Sequence, residues 1–144
     1  MSLLPIIIAP DQRLKSSAFP VTSVDAEIRR LMDDMLETMY SAPGIGLAAP
    51  QVGIHKRVLV VDANMSENGE PGDPLLVANP TLSCVSENKK ITEEGCLSLP
   101  DQYAEVERPA QIRIKFIDQH NRNQELEVDG LISACLQHEM DHLD

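Results

Sequence analysis

The chain has 144 residues and a formal charge of −11, with 42% hydrophobic residues, 3% aromatics and no tryptophan. That length suits one domain spanning residues 1–144 with an aliphatic core, and the acidic balance leaves no basic surplus of the kind a general nucleic-acid binder uses to neutralise phosphates. There is no apolar run of about 18 residues, no basic region before the apolar start, and no framework spacing among the three cysteines, so a membrane span, a signal peptide and a disulfide scaffold are all set aside in favour of a reducing cytoplasm.

Residues 1–20 read as an irregular arm, since Pro5, Pro10 and Pro20 preclude a long helix; Ile6, Ile7 and Ile8 suit a short extended segment. A helix follows, capped by Thr22 or Ser23, with Asp25 and Glu27 in the first turn, where acids complement the helix dipole. Val24, Ile28, Leu31, Met32, Met35, Leu36 and Met39 recur at three- and four-residue steps, which gives a core-facing stripe. Pro43 and Gly44 end this helix near Ser41.

Residues 44–53 are rich in glycine and alanine. They read equally as a small-residue turn, or as a loop that lets a peptide lie close with Gln51 aimed into a cleft. Residues 57–62 form a strand, 64–74 an exposed loop and 74–80 a short strand between prolines. Residues 82–87 and 89–92 suggest a hairpin turning at Asn88. Residues 103–107 alternate weakly, and 111–117 alternate at period two as a half-buried strand. A polar turn at 118–123 leads to a returning strand with Leu126 and Val128, and Asp129 can cap a final helix beginning at Gly130. Short antiparallel strands with two helices make an α+β domain: several small antiparallel sheets around a C-terminal helix, with one N-terminal helix.

That final helix carries the chemistry. His138, Glu139 and His142 form H-E-x-x-H, and residues four apart share a helix face, so two imidazoles can converge on one ion. Glu139 follows the first histidine and can take a proton from a water in the site. A catalytic site of this kind needs a third protein ligand and an open position. Cys135 shares the helix face but lies seven residues from His142, about 10.5 Å along the axis, whereas two donors to one ion are only about 4 Å apart. The third ligand therefore comes from another element, and Cys135 is assigned to the core. Cys84, in an apolar segment, reads as a small buried hydrophobe. Cys96, between Gly95 and a segment ended by Pro100, is favoured, while acidic and asparagine side chains are also open.

Three stretches together resemble the peptide deformylase family: Gly44-Ile45-Gly46-Leu47-Ala48-Ala49-Pro50-Gln51, Glu94-Gly95-Cys96-Leu97-Ser98, and Gln137-His138-Glu139-Met140-Asp141-His142-Leu143, in the family's order. The resemblance covers the whole chain. It implies a metal held by Cys96, His138 and His142, with Fe²⁺ as the native ion and Zn²⁺, Ni²⁺ or Co²⁺ as substitutes. It implies Glu139 as acid and base, and Gln51 with the Leu97 backbone N–H as donors to an oxyanion. The substrate implied is the formyl group of an N-terminal formylmethionine on a nascent polypeptide, in a bacterial or organelle-derived cytoplasmic setting. Gly44, Ile45, Gly46, Glu94 and Gly95 would border the substrate, and the methionine side chain would sit near Ile45, Glu94, Gly95, Leu131 or Cys135, and His138.

Members of the family usually continue past the position of Asp144 through a tail that docks on the ribosome in some of them, so ribosome contact is held only as a family expectation. Tyr103 stands where many bacterial members carry arginine. Two rival readings are a non-catalytic metal-stabilised binding module and a general H-E-x-x-H endopeptidase. The endopeptidase would need its third ligand downstream of the motif, where only Asp144 is available.

Overall fold

A computed structural model describes residues 3–9, 12–15, 17–42, 44–64 and 71–144. Pro10, Pro43 and the central part of the loop expected at 64–74 lie outside the described residues. The N-terminal helix, α1, is Ala26–Ser41, and its cap is Asp25 rather than Thr22 or Ser23. The Asp25 carboxylate accepts the Ile28 N–H at 2.9 Å. The start is delayed because the preceding chain is tied down in extended form: Val21 N–H donates to Asn79 Oδ1 and Val24 N–H to Asn121 Oδ1, both at 2.8 Å. Met32, Met35 and Met39 on the expected stripe are completely buried. Each stabilises the fold by about 1.5–3 kcal/mol through removal from water, so the stripe is core.

The strands are β1 (Gly46–Ala48), β2 (Val58–Val61), β3 (Leu75–Val85), β4 (Lys89–Cys96), β5 (Leu99–Pro109), β6 (Gln111–Ile117) and β7 (Asn123–Asp129), followed by the helix α2 (Gly130–Leu143). Five of them form one antiparallel sheet in the order β1-β2-β3-β6-β7, and β4 and β5 pair as a separate hairpin. β2 is buried at every position because both of its faces are covered. Val58 and Val60 face the core shared with Met32, Met35 and Met39 of α1, whereas Leu59 and Val61 face the one shared with Leu136, Met140 and Leu143 of α2. β6 alternates as its sequence implies, with Ile112, Ile114 and Phe116 inward.

The hairpin expected across Asn88 is not formed. β3 runs through Pro80 to Val85 and pairs with β6, while β4 turns at Leu97 and Ser98 and pairs with β5. Pro80 does not end its strand because it sits at a register shift between Ala78 and Thr81, next to Asn79 with φ of 51°, and a bulge tolerates the missing N–H. Cys84 lies on this extension and is exposed, contrary to its assignment as a buried hydrophobe, because β2 pairs only with residues 75–78 of β3. β1 is a strand inside what reads locally as a loop. Asp129 occupies the cap position of α2, but its side chain makes no capping hydrogen bond.

Asp62, just after β2, is fully buried. Its carboxylate accepts from the Tyr40 hydroxyl at 2.6 Å and from the backbone N–H groups of Asn64, Gly72 and Asp73 at 3.0, 2.8 and 3.1 Å, which ties α1 to both described ends of the loop.

Candidate metal centre and active site

The fold brings Cys96, at the end of β4, to the face of α2 that carries His138 and His142. One ligand atom from each lies within 4.8 Å of the others. Cys96 Sγ is 3.4 Å from His142 Nε2. A tetrahedral ion with legs of about 2.3 Å to sulfur and 2.0–2.1 Å to nitrogen would hold these two atoms about 3.5 Å apart. The two rings meet edge to face, with centroids 5.1 Å apart. Asp144 takes no part: it is turned away and binds Arg57 at 2.8 Å.

Two buried polar atoms at this spot, His138 Nε2 and Glu139 Oε1, have no hydrogen-bond partner. Buried polar groups are rarely left so, and a cation beside them would satisfy both the orphaned lone pair and the carboxylate. The donor set of one thiol and two imidazoles suits a borderline divalent metal. The three residues therefore fit a bound ion.

The surrounding groups prepare these donors. His138 Nδ1 is 3.0 Å from Glu94 Oε1. Burial alone would raise the Glu94 pKa, but hydrogen bonds from Arg108, Thr92 and His138 outweigh it and bring the pKa down to about 2. A carboxylate that stays ionised can only accept, so His138 carries its proton on Nδ1 and points the Nε2 lone pair into the site. Arg108 grips Glu94 with Nε at 2.7 Å and Nη2 at 2.8 Å, and reaches Asp141 of α2 at 2.9 Å. Burial and then the proximity of His138 lower His142 to about 4, which keeps it neutral and able to ligate. Glu139 is pushed up to about 8, by burial first and then by the charge of Glu94; a cation beside it would draw it back towards the carboxylate.

Gln51 is 1% exposed and sits behind Cys96. Its Oε1 accepts the Ala48 N–H at 2.9 Å, while Nε2 donates to Cys96 Sγ at 3.3 Å and to the buried Ser98 Oγ at 3.2 Å. The Leu97 amide lies in the β4–β5 turn directly after Cys96. A cavity of about 630 Å³ opens here, bordered by Gly44, Ile45, Gly46, Glu94, Gly95, Cys96, Leu97, Cys135, His138 and Glu139 among others. Gly46 is required by close approach: a Cβ there would lie 2.5 Å from Glu139 Oε2 and 2.8 Å from Cys135 Sγ. Cys135 is buried as assigned, yet it also borders this cavity. Burial, then Glu139 and Glu94, raise its pKa, so it stays a thiol, and it donates to the Ile45 carbonyl at 3.5 Å.

Cys96, His138 and His142 thus lie together, with Gln51 hydrogen-bonded to Cys96 and with Gly44, Ile45, Gly46, Glu94, Gly95, Leu97 and Glu139 bordering the cavity, whereas Cys84 and Asp144 lie apart from it. The carboxylate of Glu94, expected to border substrate, is occupied by Arg108, Thr92 and His138. Four residues have roles that the sequence does not announce: Thr92, Ser98, Arg108 and Asp141. The only signal for Arg108 was a lone cation in the acidic stretch that holds Glu105 and Glu107.

Comparison with known proteins identifies the family. The sequence pattern of the family described as polypeptide deformylase matches residues 3–144. A peptide deformylase of Rhizobium meliloti (strain 1021) is 53% identical over 143 residues, which cover 99% of this chain and 81% of the relative. One from Methylocella silvestris is 54% identical over 144 residues, covering 99% of this chain and 74% of the relative. The crystal structure of peptide deformylase from Ehrlichia chaffeensis superposes with a TM-score of 0.93 at 38% identity, covering 99% of this chain and 83% of that one. With a match along almost its entire length and a Cys-His-His cluster facing an embedded glutamate, the chain belongs to the polypeptide deformylase family.

Proposed function

We propose that this protein is a metal-dependent hydrolase that removes the formyl group from the N-terminal formylmethionine of nascent polypeptides. The observation that carries this reading is the cluster of Cys96, His138 and His142 within 4.8 Å, with the unpartnered Oε1 of Glu139 beside it. The ion they would hold supplies Lewis acidity, making a water a nucleophile near neutral pH and polarising the formyl carbonyl. Fe²⁺ is the proposed native ion, with Zn²⁺, Ni²⁺ or Co²⁺ able to substitute; the family resemblance supports this choice.

Glu139 accepts the water proton at Oε1 and returns it to the departing amine. Gln51 gives up its weak N–H···S contact with Cys96 and, together with the Leu97 amide, donates to the oxygen on which charge develops. Donors placed in this way contribute about 3–4 kcal/mol each in comparable sites. Glu94, backed by Arg108, holds the His138 ring in the required tautomer. Ile45, Cys135 and His138 wall the part of the cavity suited to a methionine side chain, while Gly44, Gly46 and Gly95 let the peptide backbone approach.

This activity belongs where formylated chains are made, in a bacterial cytoplasm or an organelle derived from one. No helix among the described residues is long and apolar enough to cross a membrane. A binding module without catalysis has nothing in its favour, since Glu139, Gln51 and Cys96 are all present and gathered. The test is formate release from a formyl-Met peptide by metal-loaded protein, wild type against Glu139→Ala. The variant should keep its metal and lose at least about 10²-fold in kcat; an unchanged kcat would remove Glu139 from the mechanism.

A further inference from the structure

The two histidines of the metal centre are held in different ways. His138 lies inside α2, and Glu94 Oε1 is 3.0 Å from its Nδ1, so a braced carboxylate fixes the ring. His142 is the last residue but one of the helix, which ends at Leu143. Its Nε2 faces Cys96 Sγ at 3.4 Å, and among the described residues no side chain bonds its Nδ1. A metal-ligating imidazole ordinarily gives its second nitrogen to a carboxylate or carbonyl that sets the ring. His142 lacks that brace, so the position of its ring depends on the backbone of the final turn. That turn is the part of a helix with the fewest bonds of its own: the last four carbonyls have no partner within the helix, and helix ends fray.

Here the turn is closed from outside. Arg57, the residue before β2, sends Nη1 to the Leu143 carbonyl at 3.2 Å and to Asp144 Oδ1 at 2.8 Å, and Nη2 to the Pro80 carbonyl at 3.5 Å. The Ala18 N–H reaches the same Leu143 carbonyl at 2.9 Å. Arg57 is itself rooted: its N–H donates to the Phe19 carbonyl and its own carbonyl accepts the Asn79 N–H, both at 2.8 Å. The Asn79 side chain in turn ties the backbone of Val21, accepting its N–H and donating to its carbonyl, again both at 2.8 Å. The Arg57 side chain is only 19% exposed, which shields these bonds from water. A cation at a helix C-terminus also complements the negative end of the helix dipole. Residues 18–21, 57 and 79–80 thus converge on the turn that carries His142, with one side chain at the junction.

We propose that Arg57 is a positioning residue for the metal centre: by closing the end of α2 it holds the His142 imidazole at its corner of the coordination sphere. Glu94 sets His138 through the ring, and Arg57 sets His142 through the backbone. This role presupposes the proposed metal centre and is independent of the identity of the substrate. Lysine replaces arginine here only in part, because an ammonium is a compact point charge, whereas the guanidinium presents several N–H donors in a rigid fork that meets three acceptors at once.

The test is zinc titration of metal-stripped wild type, Arg57→Ala, Arg57→Lys, His142→Ala and the Arg57→Ala/His142→Ala double variant, at a temperature where thermal denaturation shows each protein folded. Hydrogen exchange at the His142 and Leu143 amides is read on the stripped proteins. Arg57→Ala should bind zinc about 10–100-fold more weakly than wild type, and Arg57→Lys should recover part of that loss. In the His142→Ala background the same Arg57→Ala change should alter affinity by less than about twofold, because the ring that Arg57 positions is gone. Exchange at the two amides should be slow in wild type and faster in Arg57→Ala. Unchanged zinc affinity, or an equal loss with and without His142, overturns the proposal; the second result is what a general loosening of the fold would give. Should Arg57→Ala not fold, the same cycle with Arg57→Lys decides, its loss of affinity being confined to the protein that retains His142. A wild type that binds no zinc overturns the metal centre itself, and is told apart in this way from a zinc-binding wild type indifferent to Arg57.

Discussion

Gly46→Ala is the most discriminating substitution, because it removes no chemical group from the site and shifts only where one of them sits. The added Cβ would lie 2.5 Å from Glu139 Oε2 and 2.8 Å from Cys135 Sγ. Ordinary contact begins near 3.4 Å. Backbone on β1 is paired to β2 through Gly46 and Val61, so the carboxylate is the part that must yield, by about 0.9 Å. A displacement of about 1 Å in a positioned catalytic group costs about 10²-fold. Overpacking of this kind destabilises by about 1–3 kcal/mol, a fall in melting temperature of roughly 3–9 °C for a chain of this size. The assay is kcat for formate release at saturating formyl-Met peptide, alongside metal content and thermal denaturation. The expected result is a normal metal content, a modest loss of stability and a drop of about 10²-fold in kcat. A folded, metal-replete Gly46→Ala protein with wild-type kcat would show that turnover does not depend on where the Glu139 carboxylate sits.

Arg108→Ala should act on both fold and metal. Arg108 and Glu94 have side chains only 13% and 10% exposed, and removing one partner of such a pair costs about 3–5 kcal/mol. With Glu94 no longer braced, metal affinity should fall about 10–100-fold, as titration of the stripped protein would read; unchanged affinity would mean that Glu94 does not orient His138. Asp62 predicts an acid limb in stability. Burial raises its pKa, but hydrogen bonds from Tyr40, Gly72, Asp73 and Asn64 prevail and leave it below the usual aspartate value. The unfolded chain then binds the proton more readily, so this stabilisation is complete above pH about 4 and is lost as pH falls further. Denaturant unfolding of Asp62→Asn should show a loss of about 1.5–3 kcal/mol at neutral pH and a shallower decline below pH 4; parallel curves for the two proteins would exclude Asp62 as a source of acid lability.

What could be read in advance follows the range over which each interaction acts. His138, Glu139 and His142 are set by helix periodicity alone, so their convergence was legible, as was the exclusion of Cys135 from their ligand set. The Met32, Met35 and Met39 stripe was legible for the same reason. Cys96 was only one of several open choices when judged by its neighbours, because 42 residues separate it from His138 and nothing local measures that closure; the family resemblance selected it. Arg108 and Ser98 were invisible for a related reason: each matters through a partner on another segment, Glu94 and Gln51 respectively. The strand through Pro80 was misjudged because proline ends an ideal strand but not a bulged one. Cys84 was misplaced because its burial depends on how far β2 extends alongside β3.

The central claim is that Cys96, His138 and His142 together hold one ion. X-ray absorption at the metal edge of the zinc-loaded protein tests it most directly. One sulfur at about 2.3 Å and two imidazole nitrogens at about 2.0–2.1 Å are expected, with the sulfur signal lost in Cys96→Ala and kept in Cys135→Ala. A shell without sulfur, or a sulfur signal that disappears with Cys135 instead, would contradict the assignment.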